Sequence, residues 1–143
     1  MGKYLFSLGV LLLTACQTGT SQAIETIPPK TFQEQILKVE TPQLIDVRTL
    51  EEFNTNHLKK AQHIGVASAN FKQKVSKLDK SQPVYVYCKK GGRSSNAAQK
   101  MKDMGFKNVY DLDGGIESIA FIPLQYLVVG KNNKFLKNKV EIH

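Results

Sequence analysis

The chain has 143 residues, two cysteines and a formal charge of +8 at neutral pH. That length bounds it to one ordinary domain, large enough to bury a core without a disulfide framework. Such a charge suggests nucleic acid in a cytoplasmic protein, but the first residues read as an export signal, and an exported chain points to small anions or acidic headgroups and away from nucleic acid.

Met1-Gly2-Lys3 is a short basic start, followed by an apolar run from Tyr4 to Leu13. The run is well short of the ~20 apolar residues needed to cross a bilayer, so it is expected to be a leader and not a stable span. It ends in Leu13-Thr14-Ala15-Cys16, which resembles the lipobox of bacterial lipoproteins. That resemblance implies a signal peptide over residues 1–15 and lipid on Cys16. Gln17 after the cysteine is similar to an outer-membrane address, so the expected location is the bacterial envelope, anchored by lipid and facing the periplasm. Residues 16–25 then read as a polar tether.

After Pro28-Pro29, Thr31-Phe32-Gln33-Glu34 has the form of a capping box, and Phe32, Ile36 and Val39 recur at helical spacing. This predicts a first helix that begins at Thr31 and ends near Glu40. Leu44-Ile45-Asp46-Val47-Arg48 reads as a short buried strand closing on a charged pair. Thr49-Leu50-Glu51-Glu52 is a second capping box, opening a short helix in which Phe53 is expected to face the core. Ala61 to Val66 is a brief strand candidate, and Phe71, Val75 and Leu78 mark a helix. Val84 to Tyr87 is a strand. Ala97, Ala98, Met101 and Met104 share one helical face, and Gly105 is a natural cap. Val109 to Leu112 is another strand, and Gly114-Gly115-Ile116 turns the chain. This alternation predicts an α/β fold, a parallel β-sheet with helices on both faces. The stretch from Phe121 to Gly130 is apolar enough to pack, and residues 131–143 are basic. Neither has an assignable place.

Cys88 follows the strand and opens the run Cys88-Lys89-Lys90-Gly91-Gly92-Arg93-Ser94. The glycines let the backbone curl so that N–H groups face an anion, and a helix starting near Ser94 adds its positive end. Lys89, Lys90 and Arg93 add full charges, and all of these favour thiolate over thiol. In an oxidising compartment cysteines usually pair, and with Cys16 acylated Cys88 has no partner in its own chain. A lone thiol there signals chemistry. His57 and His63 lack other ligand types at metal spacing and read as surface or capping residues, so no metal and no cofactor is expected.

Four stretches resemble the rhodanese-like domain family over roughly Thr26 to Ile119. Leu44 to Arg48 with Glu52-Phe53 is the first, and His57-Leu58 with Ala61 to Ile64 the second. Cys88 to Ser94 is similar to the active-site loop, and Leu112-Asp113-Gly114-Gly115-Ile116 to the closing turn. The resemblance implies one rhodanese-like domain over residues 26–120, followed by a C-terminal extension over 121–143. It implies a sulfurtransferase in which Cys88 takes a sulfane sulfur from thiosulfate, becomes a persulfide and passes the sulfur to cyanide or a thiol. Lys89, Lys90, Gly91, Gly92 and Arg93 are the implied substrate-binding residues, and Asp46, Arg48 and Ser94 the implied loop supports. Basic residues after the cysteine resemble the thiosulfate users of the family. Four residues separate Cys88 from Arg93; related phosphatases and arsenate reductases have one more, which argues against phosphatase chemistry. The chain departs from the family at Asn56 and Lys60, where glycine is usual, and at Ile119, where tryptophan is usual. Two other functions stay open: a periplasmic persulfide carrier or redox relay, and a non-catalytic binding module at the envelope.

Overall fold

The computed structural model describes residues 23–119 and 127–129. The leader, Cys16 and the basic tail therefore lie outside the described residues. Five strands form one sheet in the order β1-β6-β5-β2-β4, with every neighbouring pair parallel. They are β1 (Ala23–Ile27), β2 (Gln43–Asp46), β4 (Gln62–His63), β5 (Val84–Tyr87) and β6 (Asn108–Leu112). A short strand β3 (Asn56–Leu58) pairs antiparallel with β7 (Leu127–Val129). Helices α1 (Pro29–Lys38), α2 (Leu50–Thr55), α3 (Phe71–Val75) and α4 (Gly92–Asp103) complete the α/β architecture.

Strand alternation divides the core into two layers. Leu44, Tyr85, Tyr87, Leu112 and Ile27 point to the α1 side, where they meet Phe32. Ile45, Val47, Val84, Val86 and Val109 point to the other side and pack on Phe71 and Val75 of α3 and on Ala97, Ala98 and Met101 of α4. β5 is buried at every position because it is the central strand and is covered on both faces. Each fully buried large aliphatic side chain contributes about 1.5–3 kcal/mol. Cys88 follows the parity of Val84 and Val86, so its side chain goes to the α4 side.

Four expectations need correction. α1 begins at Pro29, not Thr31, and Pro28 occupies the N-cap with no side-chain bond to the helix. Proline at the first helical position already has the helical φ and lacks an N–H that would need a partner, so the Thr31 box is not used. Residues 23–25, assigned to the tether, belong to β1, which joins the edge of the sheet beside β6. Phe53 is only partly buried: α2 has no buried residue, and the ring stacks on His57 at 3.8 Å between centroids. The helix after Cys88 starts at Gly92, two residues before Ser94.

Two family departures have opposite consequences. Lys60 adopts φ 69°, the left-handed conformation that glycine tolerates, and a lysine there carries about 1–2 kcal/mol of backbone strain. Asn56 has φ −163°, which any residue adopts, so nothing is lost there. The Thr49 capping box of α2 forms in full, with Glu52 N–H donating to Thr49 Oγ1 and Thr49 N–H donating to the Glu52 carboxylate.

Candidate active site

A parallel sheet delivers the ends of its strands to one edge, and there the loops after β2, β5 and β6 lie side by side. Cys88 leaves the centre of that edge. Its residue is buried, 1 % exposed, with the side chain among Val47, Val86 and Ala97 and its sulfur turned toward the following loop. Gly91 N–H donates to Sγ at 3.1 Å, and the Ser94 hydroxyl lies 3.5 Å away. Gly91 has φ 104°, a conformation that folds the loop back over the sulfur and that side chains rarely adopt.

Burial pushes the Cys88 thiol up, but the bonds offered by the Ser94 hydroxyl and by the backbone N–H groups of Ser94, Gly91 and Lys90 outweigh it, leaving the thiol below its ordinary value. The N-terminus of α4 contributes in the same direction. Arg93 also acts on the sulfur, and its guanidinium is raised chiefly by Glu52. The two form a bidentate pair at 2.7 and 2.8 Å, and Arg93 with the Thr49 cap holds the Glu52 carboxyl down at about 2. Glu52 therefore links the cap of α2 to the loop of Cys88.

Lys89 and Lys90 are placed differently from the picture of a cationic rim closing on the sulfur. Both side chains are exposed and lean toward Glu117, with Nζ 3.5 and 3.9 Å from its carboxylate oxygens. Exposed pairs at such distances contribute little to stability. Their effect is to offset part of the positive charge that the loop presents. The charge close to sulfur comes from backbone N–H groups and Arg93.

The turn after β6 clasps the loop from behind. Ile116 N–H donates to the Cys88 carbonyl at 2.8 Å and Glu117 N–H to the Lys89 carbonyl at 3.2 Å. Gly115 makes this approach possible, because a Cβ there would sit 2.5 Å from the Lys89 carbonyl.

Asp46 and Arg48 form a buried pair, 0 % and 4 % exposed, joined at 2.6 Å. Arg48 extends from it to the carbonyl and side chain of Asn56, and its guanidinium lies over the Tyr87 ring. The Tyr87 hydroxyl accepts the Leu58 N–H, and burial, with Asp46 beside it, holds that hydroxyl protonated far above its usual range. The pair thus braces β2, β3 and the residue preceding Cys88. Its bonds run to Asn56 and Tyr87, so any support it gives the loop passes through the strand end. His57 Nδ1 donates to the Phe53 carbonyl and His63 Nε2 to the Arg48 carbonyl, so both histidines tie backbone together.

One site-proximal residue was missed in the sequence. Asp111 on β6 is 3 % exposed, and burial pushes its carboxyl up to about 6, against the influence of the Ser94 hydroxyl. Its signal was its place two residues after Val109 on a strand, which puts an acid on the core side.

An apolar groove on the opposite face of the sheet is lined by Phe32, Ile36, Leu44, Leu58 and Ile119 together with Lys60. Its lining includes no residue of the Cys88 loop.

Comparison with known proteins agrees with this geometry. A thiosulfate sulfurtransferase, GlpE, of Pseudomonas savastanoi pv. phaseolicola is 37% identical over 92 residues, covering 64% of this chain and 82% of the relative. The uncharacterized protein YqhL of Bacillus subtilis is 29% identical over 113 residues, covering 79% of this chain and 86% of its own length. Among solved structures, a rhodanese-like domain protein from Staphylococcus aureus superposes with a TM-score of 0.59 at 21% identity, covering 66% of this chain and 89% of that one. The family model described as the rhodanese-like domain matches residues 29–120, and with the cysteine loop, the parallel sheet between its two core layers and the closing glycine turn in place, the chain belongs to the rhodanese-like domain family.

Proposed function

We propose that the protein is a thiosulfate sulfurtransferase working through a Cys88 persulfide. The observation that carries this reading is the Cys88 sulfur at the N-terminus of α4, met by the Gly91 N–H at 3.1 Å and the Ser94 hydroxyl at 3.5 Å, which together favour its thiolate. In the first step the thiolate attacks the outer sulfur of thiosulfate. The S–S bond of the donor breaks, sulfite departs with its electron pair, and a Cys88 persulfide remains. The backbone donors that favour the thiolate equally suit the anionic persulfide. In the second step cyanide or a thiolate attacks the outer sulfur, and Cys88 leaves as thiolate. In this reading Arg93, which is paired with Glu52, supplies positive charge to the departing sulfite.

Intact-mass measurement after exposure to thiosulfate tests this. A gain of one sulfur atom, removed by cyanide and absent in Cys88→Ser, is the expected result. No gain, or a gain that persists in Cys88→Ser, favours a binding module without sulfur chemistry.

A second reading is favoured by the lysines. Because Glu117 lies against Lys89 and Lys90, the loop attracts a free dianion less strongly than its sequence suggests. That suits a carrier receiving sulfur from a partner protein. Sulfite release under steady-state conditions separates the two, since a carrier loads Cys88 yet turns over slowly with thiosulfate and cyanide.

We further propose that the domain works at the bacterial envelope, held by lipid on Cys16 and facing the periplasm. The support is the leader pattern ending in Leu13-Thr14-Ala15-Cys16. Membrane partition of the chain expressed in a bacterium, with release of Cys16→Ala into the soluble fraction, is expected; a soluble wild-type protein would overturn the anchor.

A further inference from the structure

The loop of Cys88 carries Lys89, Lys90 and Arg93, and the fold brings carboxylates to all three from other parts of the chain. Glu52 holds Arg93 in its bidentate pair. Glu117, in the turn after β6, faces the two lysines at once: one carboxylate oxygen lies 3.5 Å from Lys89 Nζ and the other 3.9 Å from Lys90 Nζ. Among the described residues, these three cations are thus paired with two carboxylates, which leaves one net positive charge, and an ionised Cys88 cancels it. The mouth of the loop is then formally neutral, where its own sequence promises strong attraction for a dianion.

The position of Glu117 is set by its backbone and not by the pairing. Its N–H donates to the Lys89 carbonyl at 3.2 Å, one residue beyond the bond from Ile116 to the Cys88 carbonyl. Ser118 ties the same turn from the other side, its hydroxyl 2.6 Å from the Asp113 carbonyl oxygen and 2.7 Å from that of Gly115. The carboxylate is therefore carried on the clasp that shapes the loop. Glu117 and both lysines are exposed, so their pairing adds little stability. Their charges still act on any anion that comes within the Debye length, about 8 Å at physiological ionic strength.

We infer that Glu117 is a specificity-determining residue: by opposing Lys89 and Lys90 it sets how the Cys88 site discriminates among reagents by charge, and biases it from dianionic sulfur donors toward donors of lower charge. This deepens the sulfurtransferase reading and rests on Cys88 as the reacting thiol, but not on the identity of the donor. Removing an acid is then expected to raise reactivity toward thiosulfate. The effect is Coulombic, so it grows with reagent charge, from nothing for a neutral molecule to twice the monoanion's free energy for a dianion.

Three reagents of rising charge test this on the one thiol: neutral iodoacetamide, iodoacetate with one negative charge, and thiosulfate with two. Second-order rate constants are compared between the wild type and Glu117→Gln, which keeps the side-chain shape and the backbone bond to Lys89. Dividing each by the iodoacetamide rate constant removes any change in thiolate fraction or access. At low ionic strength Glu117→Gln is expected to raise this ratio about twofold for iodoacetate and about fourfold for thiosulfate loading read by intact mass. Glu117→Lys changes the charge by twice as much and should square those gains. At about 1 M salt, where the Debye length is roughly 3 Å, the gains should largely disappear. An iodoacetate-to-iodoacetamide ratio that stays the same in Glu117→Gln at low salt overturns the inference. A gain that salt does not reduce also overturns it, because that marks a change of shape and not of charge. If thiosulfate loads no variant, the thiosulfate reading fails by itself, and the two alkylating reagents still decide the role of Glu117.

Discussion

Gly115→Ala is expected to lower stability by about 3 kcal/mol or more and, in whatever fraction folds, to raise the Cys88 thiol pKa. Two costs combine. Gly115 has φ 66° and ψ −165°, a region occupied essentially by glycine alone. A Cβ would also lie 2.5 Å from the Lys89 carbonyl and 2.6 Å from the Lys90 nitrogen. Those are backbone atoms, so relief requires moving the peptide between Lys89 and Lys90. That peptide contributes one of the N–H groups that favour the thiolate. Gly105→Ala is the informative comparison. Gly105 also has a positive φ, 93°, but a Cβ there meets nothing within 4 Å, so only the conformational cost of about 1 kcal/mol is expected and the thiol should titrate as before. Urea unfolding with iodoacetamide titration measures both quantities. Equal losses of stability in the two variants, with no change in the thiol, would show that the turn does not shape the loop.

Asp46→Ala is expected to cost about 3–5 kcal/mol, because it leaves the Arg48 guanidinium buried without its counter-charge. Arg48 Nε and Nη2 and the Arg48 backbone N–H all donate to the Asp46 carboxylate. After the substitution only the bonds to Asn56 remain for that guanidinium, together with the ring of Tyr87. A loss of that size is a large part of the 5–15 kcal/mol that stabilises a typical domain. Adding Arg48→Met should recover much of it, since an apolar side chain of similar length removes the stranded charge. The midpoint of urea unfolding at constant slope is the measurement. If Asp46→Ala costs no more than an ordinary surface change, about 0.5 kcal/mol, the pair is not the brace that its burial indicates.

Much of the fold was legible because its signals are local. The cap at Thr49 and Glu52, the apolar run from Val84 to Tyr87 and the small-residue face of α4 each depend on neighbours within a turn or two. β1 was not legible as a strand: Ala23–Ile27 lies at the sheet edge, with only Ile27 buried, so its pattern is close to that of a polar linker. The start of α1 was misplaced because two valid start signals compete, and the prolines outrank the Thr31 box.

At the site, the nucleophile and its glycine loop were legible from residue types alone. The direction of the lysines was not, because Glu117, which draws them outward, comes from a turn far along the chain. Asp111 was overlooked for a related reason. Its parity with Val109 marks it as inward-facing, but its burial depends on how α4 packs over β6.

The pairing of β3 with β7 bears on how the protein can be dissected. The family match stops at residue 120, yet Asn56, His57 and Leu58 find their ladder partners at Val129, Val128 and Leu127. Asn56 is also where Arg48 is anchored. A shortened version ending at the match would strip that ribbon of its second strand and bare an edge able to recruit neighbouring molecules. Expression boundaries for crystallisation or kinetics should therefore run past Val129.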